Sequence, residues 1–227
     1  MVFAGLKSLF EKGEKPPALD AAMRTQLAGH FEKIRDPVDV VASLDEGEKS
    51  HELRALLDEI ATLCAKINVR HDGDDVRRPS FSVARRGEAP RIAFAAIPLG
   101  HELTSLVLAL VQVGGHRPRV DAGVIEAIGA IPGTLCFETY ITLNCHNCPD
   151  LVQALNVLAL LNPGIRHTTI DGMLFRQEID QHKIVAVPAL FLNGRFFDQG
   201  RKTLGELVAK LSASPLADAQ GKAGAAE

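Results

Sequence analysis

Cys145-His146-Asn147-Cys148 places two thiols two residues apart, after the apolar stretch 136–143 and before the helix-like run 151–161. Across one turn their sulfurs can meet and close a small ring. At a helix N-terminus the first thiol faces unpaired backbone N–H groups and the positive end of the helix dipole. That setting favours thiolate, taking a cysteine from ~8.5 to roughly 3.5–7.5, and thiolate is the species that attacks disulfides. The pattern therefore suits reversible dithiol–disulfide exchange. A zinc half-site and a static structural disulfide are the competing readings. Zinc usually takes four ligands, whereas Cys64 and Cys136 stand alone in apolar runs, where inert buried cysteines are expected. Nothing else in the chain reads as a disulfide scaffold.

The surroundings add candidates. Pro149 fits the first turn of the helix, where its missing N–H has no intrahelical acceptor. His146 brings positive charge to the dithiol when protonated. Val187-Pro188 opens a strand some forty residues on, and an X-Pro bond there can be cis at low cost. Such a proline removes a donor beside the disulfide and leaves the preceding main-chain groups free for a substrate backbone; an ordinary edge-strand proline is the other reading. Glu102, at the start of a very apolar helix, is the candidate proton acceptor, because desolvation raises a carboxyl towards general-base range. A helix N-terminal glutamate held by the dipole is the alternative.

These residues need an α/β frame. The chain has 227 residues, 46% hydrophobic and 23% charged, enough for a sizeable core. Its net charge is -3 without long basic runs, which excludes an electrostatically held nucleic acid. No apolar run approaches the roughly 20 residues of a membrane span, and residues 1–10 lack a signal-peptide core, so a cytosolic (cytoplasmic) protein is expected. Residues 1–18 read as an appendage broken by Gly13, Pro16 and Pro17. Helical spacing is expected over 20–34, 50–65 and 101–113, with strands at 38–41, 67–71, 81–84 and 92–96. The second half predicts helices over 120–131, 148–161, 174–182 and 203–211, and strands at 135–143, 165–170, 189–192 and 195–197. Asn193-Gly194 marks the last hairpin, and Thr203 with Glu206 a capping box.

Residues also repeat. Pro79-Ser80-Phe81-Ser82-Val83 aligns with Pro188-Ala189-Leu190-Phe191-Leu192, and Arg91-Ile92-Ala93-Phe94 with Arg195-Phe196-Phe197-Asp198. A duplicated β-α-β-α-β-β-α unit follows, with residues 19–116 as a repeat lacking active cysteines and 117–211 as the repeat that carries them. The position matching the dithiol falls in 43–49 and has no cysteine. Residues 212–227, rich in Ala, Gly, Ser and Pro, read as a flexible linker leading to a further domain.

The hexapeptide Cys145-His146-Asn147-Cys148-Pro149-Asp150, with Phe137-Glu138-Thr139-Tyr140 before it and Val152-Gln153-Ala154-Leu155-Asn156 after it, resembles the N-terminal domain of the flavoprotein subunit of bacterial alkyl hydroperoxide reductase. The likeness continues through Leu161-Asn162-Pro163, His167-Thr168, Ile170-Asp171-Gly172, Val187-Pro188-Ala189, Asn193-Gly194 and Gln199-Gly200-Arg201. In the first half it includes Arg78-Pro79-Ser80-Phe81, Pro98-Leu99-Gly100-His101-Glu102 and Thr104 to Leu110, covering residues 21–211 overall. The resemblance implies two fused thioredoxin-like folds sharing one mixed β-sheet. It implies that Cys145 and Cys148 take electrons from a flavin reductase module and pass them to the disulfide of a peroxiredoxin, with Cys145 attacking and Cys148 resolving. It also places an acidic residue of the inactive half, Glu102, near the dithiol. FAD and NADH belong to the implied module; this chain has no G-x-G-x-x-G fingerprint and no second C-x-x-C, so no cofactor site is expected in it. A free-standing tandem protein disulfide reductase or isomerase, and a non-redox metal-binding or docking module, are the alternative functions.

Overall fold

A computed structural model describes residues 19–213. The expected extension, 1–18, lies outside them, as does most of the expected linker.

Apolar residues at alternating positions build eight strands into one mixed sheet. The first repeat runs α1 (Ala21–Phe31), β1 (Val38–Ser43), α2 (Glu48–Leu63), β2 (Ile67–Arg70), β3 (Ser80–Arg85), β4 (Ile92–Ala95), a 3-10 turn (Gly100–Glu102) and α3 (Leu103–Val113). The second runs α4 (Ala122–Gly129), β5 (Leu135–Ile141), α5 (Cys148–Leu161), β6 (Ile165–Asp171), α6 (Arg176–Gln181), β7 (Ala189–Leu192), β8 (Arg195–Gln199) and α7 (Leu204–Ala213). The strand order is β2-β1-β3-β4-β6-β5-β7-β8. Each half therefore has the same internal order, and the halves join head to tail. The join is parallel, Ile92 opposite His167 through Ala95 opposite Ile170.

Local chemistry explains the boundaries. The Asp20 side chain accepts from the Met23 N–H at 2.8 Å and starts α1. Thr203 and Glu206 form the reciprocal capping box expected of them. Asn193 and Gly194 both have positive φ, 50° and 74°, which a two-residue type I′ hairpin requires. Asn162 caps α5, and its amide donates to the Ile128 and Ile131 carbonyls, tying the end of α4 to that of α5.

One sheet face carries the main core. Val38 and Val40, Phe81 and Val83, Ile92 and Phe94, Phe137, Ile165 and Leu190 pack with the inward sides of α3, α5 and α7, all nearly solvent-free. Phe81 stacks on Phe94 with centroids 5.2 Å apart. On the other face, α6 covers a smaller cluster of Tyr140, Ile170, Ala189 and Phe191.

The structure departs from the sequence reading in four places. The first repeat has no counterpart of α6; residues 71–79 cross that face without regular structure, so the two units are not identical. There Arg77 reaches into the second repeat and grips Glu178 through Nε at 2.9 Å and Nη2 at 2.8 Å, and Glu138 at 2.6 Å. Residues 101–113 open with a 3-10 turn rather than a continuous α-helix. The helix α7 runs to Ala213, two residues into the expected linker. Neither free cysteine is buried. Cys136 is exposed, because strand alternation puts Phe137 in the main core and Cys136 on the opposite face, and Cys64 is half-buried at the end of α2.

Within the second repeat, on the strand that meets the first, lies a buried polar chain. On β6, His167 joins the Asn156 Oδ1 through Nδ1 and the Thr139 hydroxyl through Nε2, both at 2.8 Å. Burial pushes its imidazole down to about 3. The unfolded chain takes up this proton below about 6.5 while the folded chain does not, so His167 lowers stability as pH falls from about 6.5 towards 3. Comparing denaturant stability of the protein with that of a His167→Gln variant should show the variant's pH slope in this window smaller by up to ~1.4 kcal/mol per pH unit.

Candidate active site around the Cys145–Cys148 disulfide

Strands β4, β6 and β5 run parallel, so their C-terminal ends lie at one edge of the sheet. That edge is where α/β sheets place their ligand sites. The segment after β5 turns at Thr142, whose carbonyl accepts from the Cys145 N–H at 3.0 Å, and then enters α5. Cys145 and Cys148 are joined as a disulfide with Cα atoms 5.5 Å apart. Cys148 is the first residue of α5 and is fully buried; Cys145 is half-buried. Pro149 sits in the first turn as expected. Asn147 precedes the helix with no side-chain capping bond, so the N-terminal N–H groups of α5 stay directed at the sulfur pair. Asp150, in the same turn, pairs with Arg201 at 2.5 Å, linking the dithiol hexapeptide to the loop after β8.

By helix start, Glu48 of α2 matches Cys148 and Asp45 matches Cys145. There the Asp45 carboxylate accepts from the Ser50 hydroxyl at 2.6 Å and the Gly47 N–H at 2.9 Å, in that order holding its carboxyl below the usual range. The repeat without the dithiol has this Asp45 turn where the other has the two thiols.

The first repeat nevertheless reaches the site. Gly100, at φ +59°, brings the 3-10 turn so close that a Cβ there would sit 3.2 Å from the Leu143 carbonyl oxygen. The His101 N–H donates to that carbonyl at 3.4 Å. The His101 ring lies against the exposed His146 ring, centroids 4.1 Å apart and tilted by 47°. Thus His146, singled out in the sequence, meets a partner that sequence reasoning took only as a helix start; its place beside Glu102 in the Pro98–Glu102 motif was the available signal.

Glu102 ends the turn with no solvent exposure, and neither carboxylate oxygen has a hydrogen-bond partner. Burial raises its carboxyl to about 7, opposed weakly by the Ser105 hydroxyl, which lies near without bonding geometry. The turn packs on α5, whose N-terminus holds Cys148.

Pro188 is buried and the Val187-Pro188 bond is cis, as is Arg78-Pro79 at the matching place in the first repeat. Tyr140 pairs with Ala189, so Pro188 falls level with Ile141, just before the turn to Cys145. The Pro188 carbonyl accepts from the Gly200 N–H at 2.8 Å. The Val187 N–H and carbonyl have no partner among the described residues. Also among these residues, no cluster of three or more His, Cys, Asp or Glu side chains could hold a metal ion, and no helix is long and apolar enough to cross a membrane.

Residues 137–212 match the Thioredoxin domain family. The chain is 53% identical over 193 residues to the F subunit of alkyl hydroperoxide reductase from Pseudomonas aeruginosa, an alignment covering 85% of this chain and 37% of that protein. It superposes on the NTD_N/C domain of alkylhydroperoxide reductase AhpF from Enterococcus faecalis with a TM-score of 0.79 and 33% identity, covering 85% of this chain and 99% of that one. A protein disulfide oxidoreductase from Aeropyrum pernix, 19% identical with a TM-score of 0.74 over 86% of this chain and 92% of its own, shares the fold. A tandem thioredoxin-like sheet, one C-x-x-C disulfide at a helix N-terminus and these identities together mean that the chain belongs to the AhpF family, the F subunit of alkyl hydroperoxide reductase, and matches its N-terminal domain.

Proposed function

We propose that this dithiol–disulfide oxidoreductase domain relays two electrons from a flavin reductase module to the disulfide of a peroxiredoxin. The observation that carries the reading is a disulfide whose first cysteine is half-buried and whose second is buried, at the N-terminus of α5, the helix on which the turn carrying the partnerless buried Glu102 packs. In the reduced state the Cys145 thiolate attacks one sulfur of the partner disulfide. A mixed disulfide forms and one partner thiolate leaves. Cys148 then loses its proton to Glu102 and attacks the Cys145 sulfur, re-forming the internal disulfide and releasing the second partner thiolate. Two electrons pass to the partner, and two protons complete its thiols. His146, set against His101, lends positive charge to the Cys145 thiolate when protonated. Val187, ahead of cis Pro188, offers its free N–H and carbonyl to the partner's backbone.

The chain spans 37% of the length of its AhpF relatives. FAD and NADH are assigned to the portion it does not span, since this chain lacks a glycine-rich dinucleotide fingerprint. We place the two repeats at 19–116 and 117–211, and the protein in the cytosol.

Two sets of variants test these roles. Reduced Cys148→Ser should accumulate a mixed disulfide with an oxidised peroxiredoxin through Cys145, seen by non-reducing electrophoresis and intact mass, while Cys145→Ser should transfer nothing. Trapping through Cys148 would reverse the assignment, and turnover of insulin disulfides by the isolated chain would favour the free-standing reductase. Glu102→Gln should slow the resolving step by about 10²-fold and remove the rate increase through pH about 7 that burial of Glu102 gives the native protein. Quenched-flow alkylation across pH 5.5–8.5 reads both; an unchanged profile leaves Glu102 a purely structural residue.

A further inference from the structure

The loop after β8 touches both parts of the dithiol site with two consecutive residues. The Gly200 N–H donates to the Pro188 carbonyl at 2.8 Å. The Arg201 guanidinium meets Asp150, in the first turn of α5, at 2.5 Å through Nε. Gly200 has φ +80°, a left-handed turn that aims these neighbouring groups at different elements. The loop is itself held. Lys202 Nζ donates to the Gln199 carbonyl at 2.8 Å and pairs with Asp198 at 3.1 Å, and Lys210 of α7 pairs with the same carboxylate at 2.7 Å. Among the described residues, Arg201 makes the one side-chain hydrogen bond or ion pair between the hexapeptide 145–150 and β7, β8 or the loop after them. An ion pair this exposed, with side chains 63% and 48% accessible, adds little to stability. What it does set is a distance.

We propose that Arg201 is a positioning residue for exchange with protein disulfides: through Asp150 it fixes the first turn of α5, and with it Cys145, relative to the backbone edge at Val187 and Pro188. The inference rests on the disulfide-exchange reading above and adds a residue to it. A protein segment must meet the site at two points at once. Its backbone pairs with the free N–H and carbonyl of Val187, and its sulfur lies in line with that of Cys145. A single peptide unit, Gly200–Arg201, joins the groups that hold those two points. On one side Pro188 follows Val187. On the other, Asp150 lies in the turn that Cys148 begins, and the Cys148 N–H donates to the Cys145 carbonyl at 3.4 Å. A misplacement of about 1 Å between two such points costs on the order of 10²-fold in rate. A small disulfide with no backbone to dock meets only the sulfur, so the same misplacement leaves its rate alone. The planar guanidinium, with its donors in a fixed fork, suits this role better than an ammonium on a flexible stem.

The test uses the reduced full chain and two substrates: a short synthetic peptide carrying one cysteine as a disulfide with 5-thio-2-nitrobenzoate, and the symmetric disulfide of that aromatic thiol. Release of the aromatic thiol gives the rate of the first attack. Arg201→Ala should slow attack on the peptide about tenfold, while the symmetric disulfide reacts within about twofold of the native rate. Asp150→Ala should reproduce this selective loss, and the double variant should be no slower than either single one, because both remove the same tie. Both side chains are exposed, so the variants fold; should Arg201→Ala not, Asp150→Ala carries the test. Equal slowing of the two substrates would mean that Arg201 acts only through its charge on the sulfurs. That result, an unchanged peptide rate, or single effects that multiply in the double variant would each overturn the proposal. A selective loss in a protein that does not reduce peroxiredoxin would keep the role of Arg201 and sink the relay. Peroxiredoxin reduction by Arg201→Ala at the native rate would do the reverse.

Discussion

The parallel pairing of β4 with β6 is the contact on which the site depends. It turns two four-stranded sheets into one and aligns the C-terminal ends of β4, β6 and β5 along a common edge. The segment leaving β4 becomes the turn with His101 and Glu102; the segment leaving β5 becomes the dithiol loop. A hydrogen bond from the His101 N–H to the Leu143 carbonyl and the contact of two imidazoles close the gap. Without the join, the second repeat would keep its disulfide but lose the turn packed on α5 that carries Glu102.

That join has its own demands. On the second repeat's side of it, His167 of β6 bonds Asn156 and Thr139, and burial keeps the imidazole neutral. On the opposite face, Arg77 bridges the first repeat to Glu138 and Glu178 of the second, and the Tyr140 hydroxyl donates to Glu178 at 2.7 Å. The first repeat has no counterpart of α6, and the connector in its place is a clamp. Where the second repeat has its dithiol, the first has Asp45 bound to the Gly47 N–H and the Ser50 hydroxyl, while its turn after β4 reaches the dithiol loop.

Glu102 shows how much chemistry burial alone can supply. Its ordinary value of 4.5 rises to about 7 because burial removes water and only the nearby Ser105 hydroxyl opposes the rise. A shift of that size favours the neutral acid by roughly 3 kcal/mol. The same carboxyl in the solvated position suggested by a helix N-terminus would remain ionised and be a poor proton acceptor.

What the residues determined by themselves was local. The period of apolar positions located the strands and helices, Asn193-Gly194 located a hairpin, Thr203 and Glu206 a cap, and the spacing of Cys145 and Cys148 a closable ring at the head of α5. Each depends on neighbours within a few residues, so each is written in sequence order. Which faces were covered was decided only in three dimensions. Periodicity placed Cys136 in a strand, yet its exposure depends on the side of the sheet the helices occupy. The duplication suggested two equal units, yet only folding put a loop, not a helix, over the first. The meeting of His101 with His146, the sealing of Glu102 and the pairing of Arg201 with Asp150 all join residues distant along the chain. Burial and proximity belong to the packed molecule, because water is excluded by the neighbours that tertiary structure brings and not by those the chain supplies.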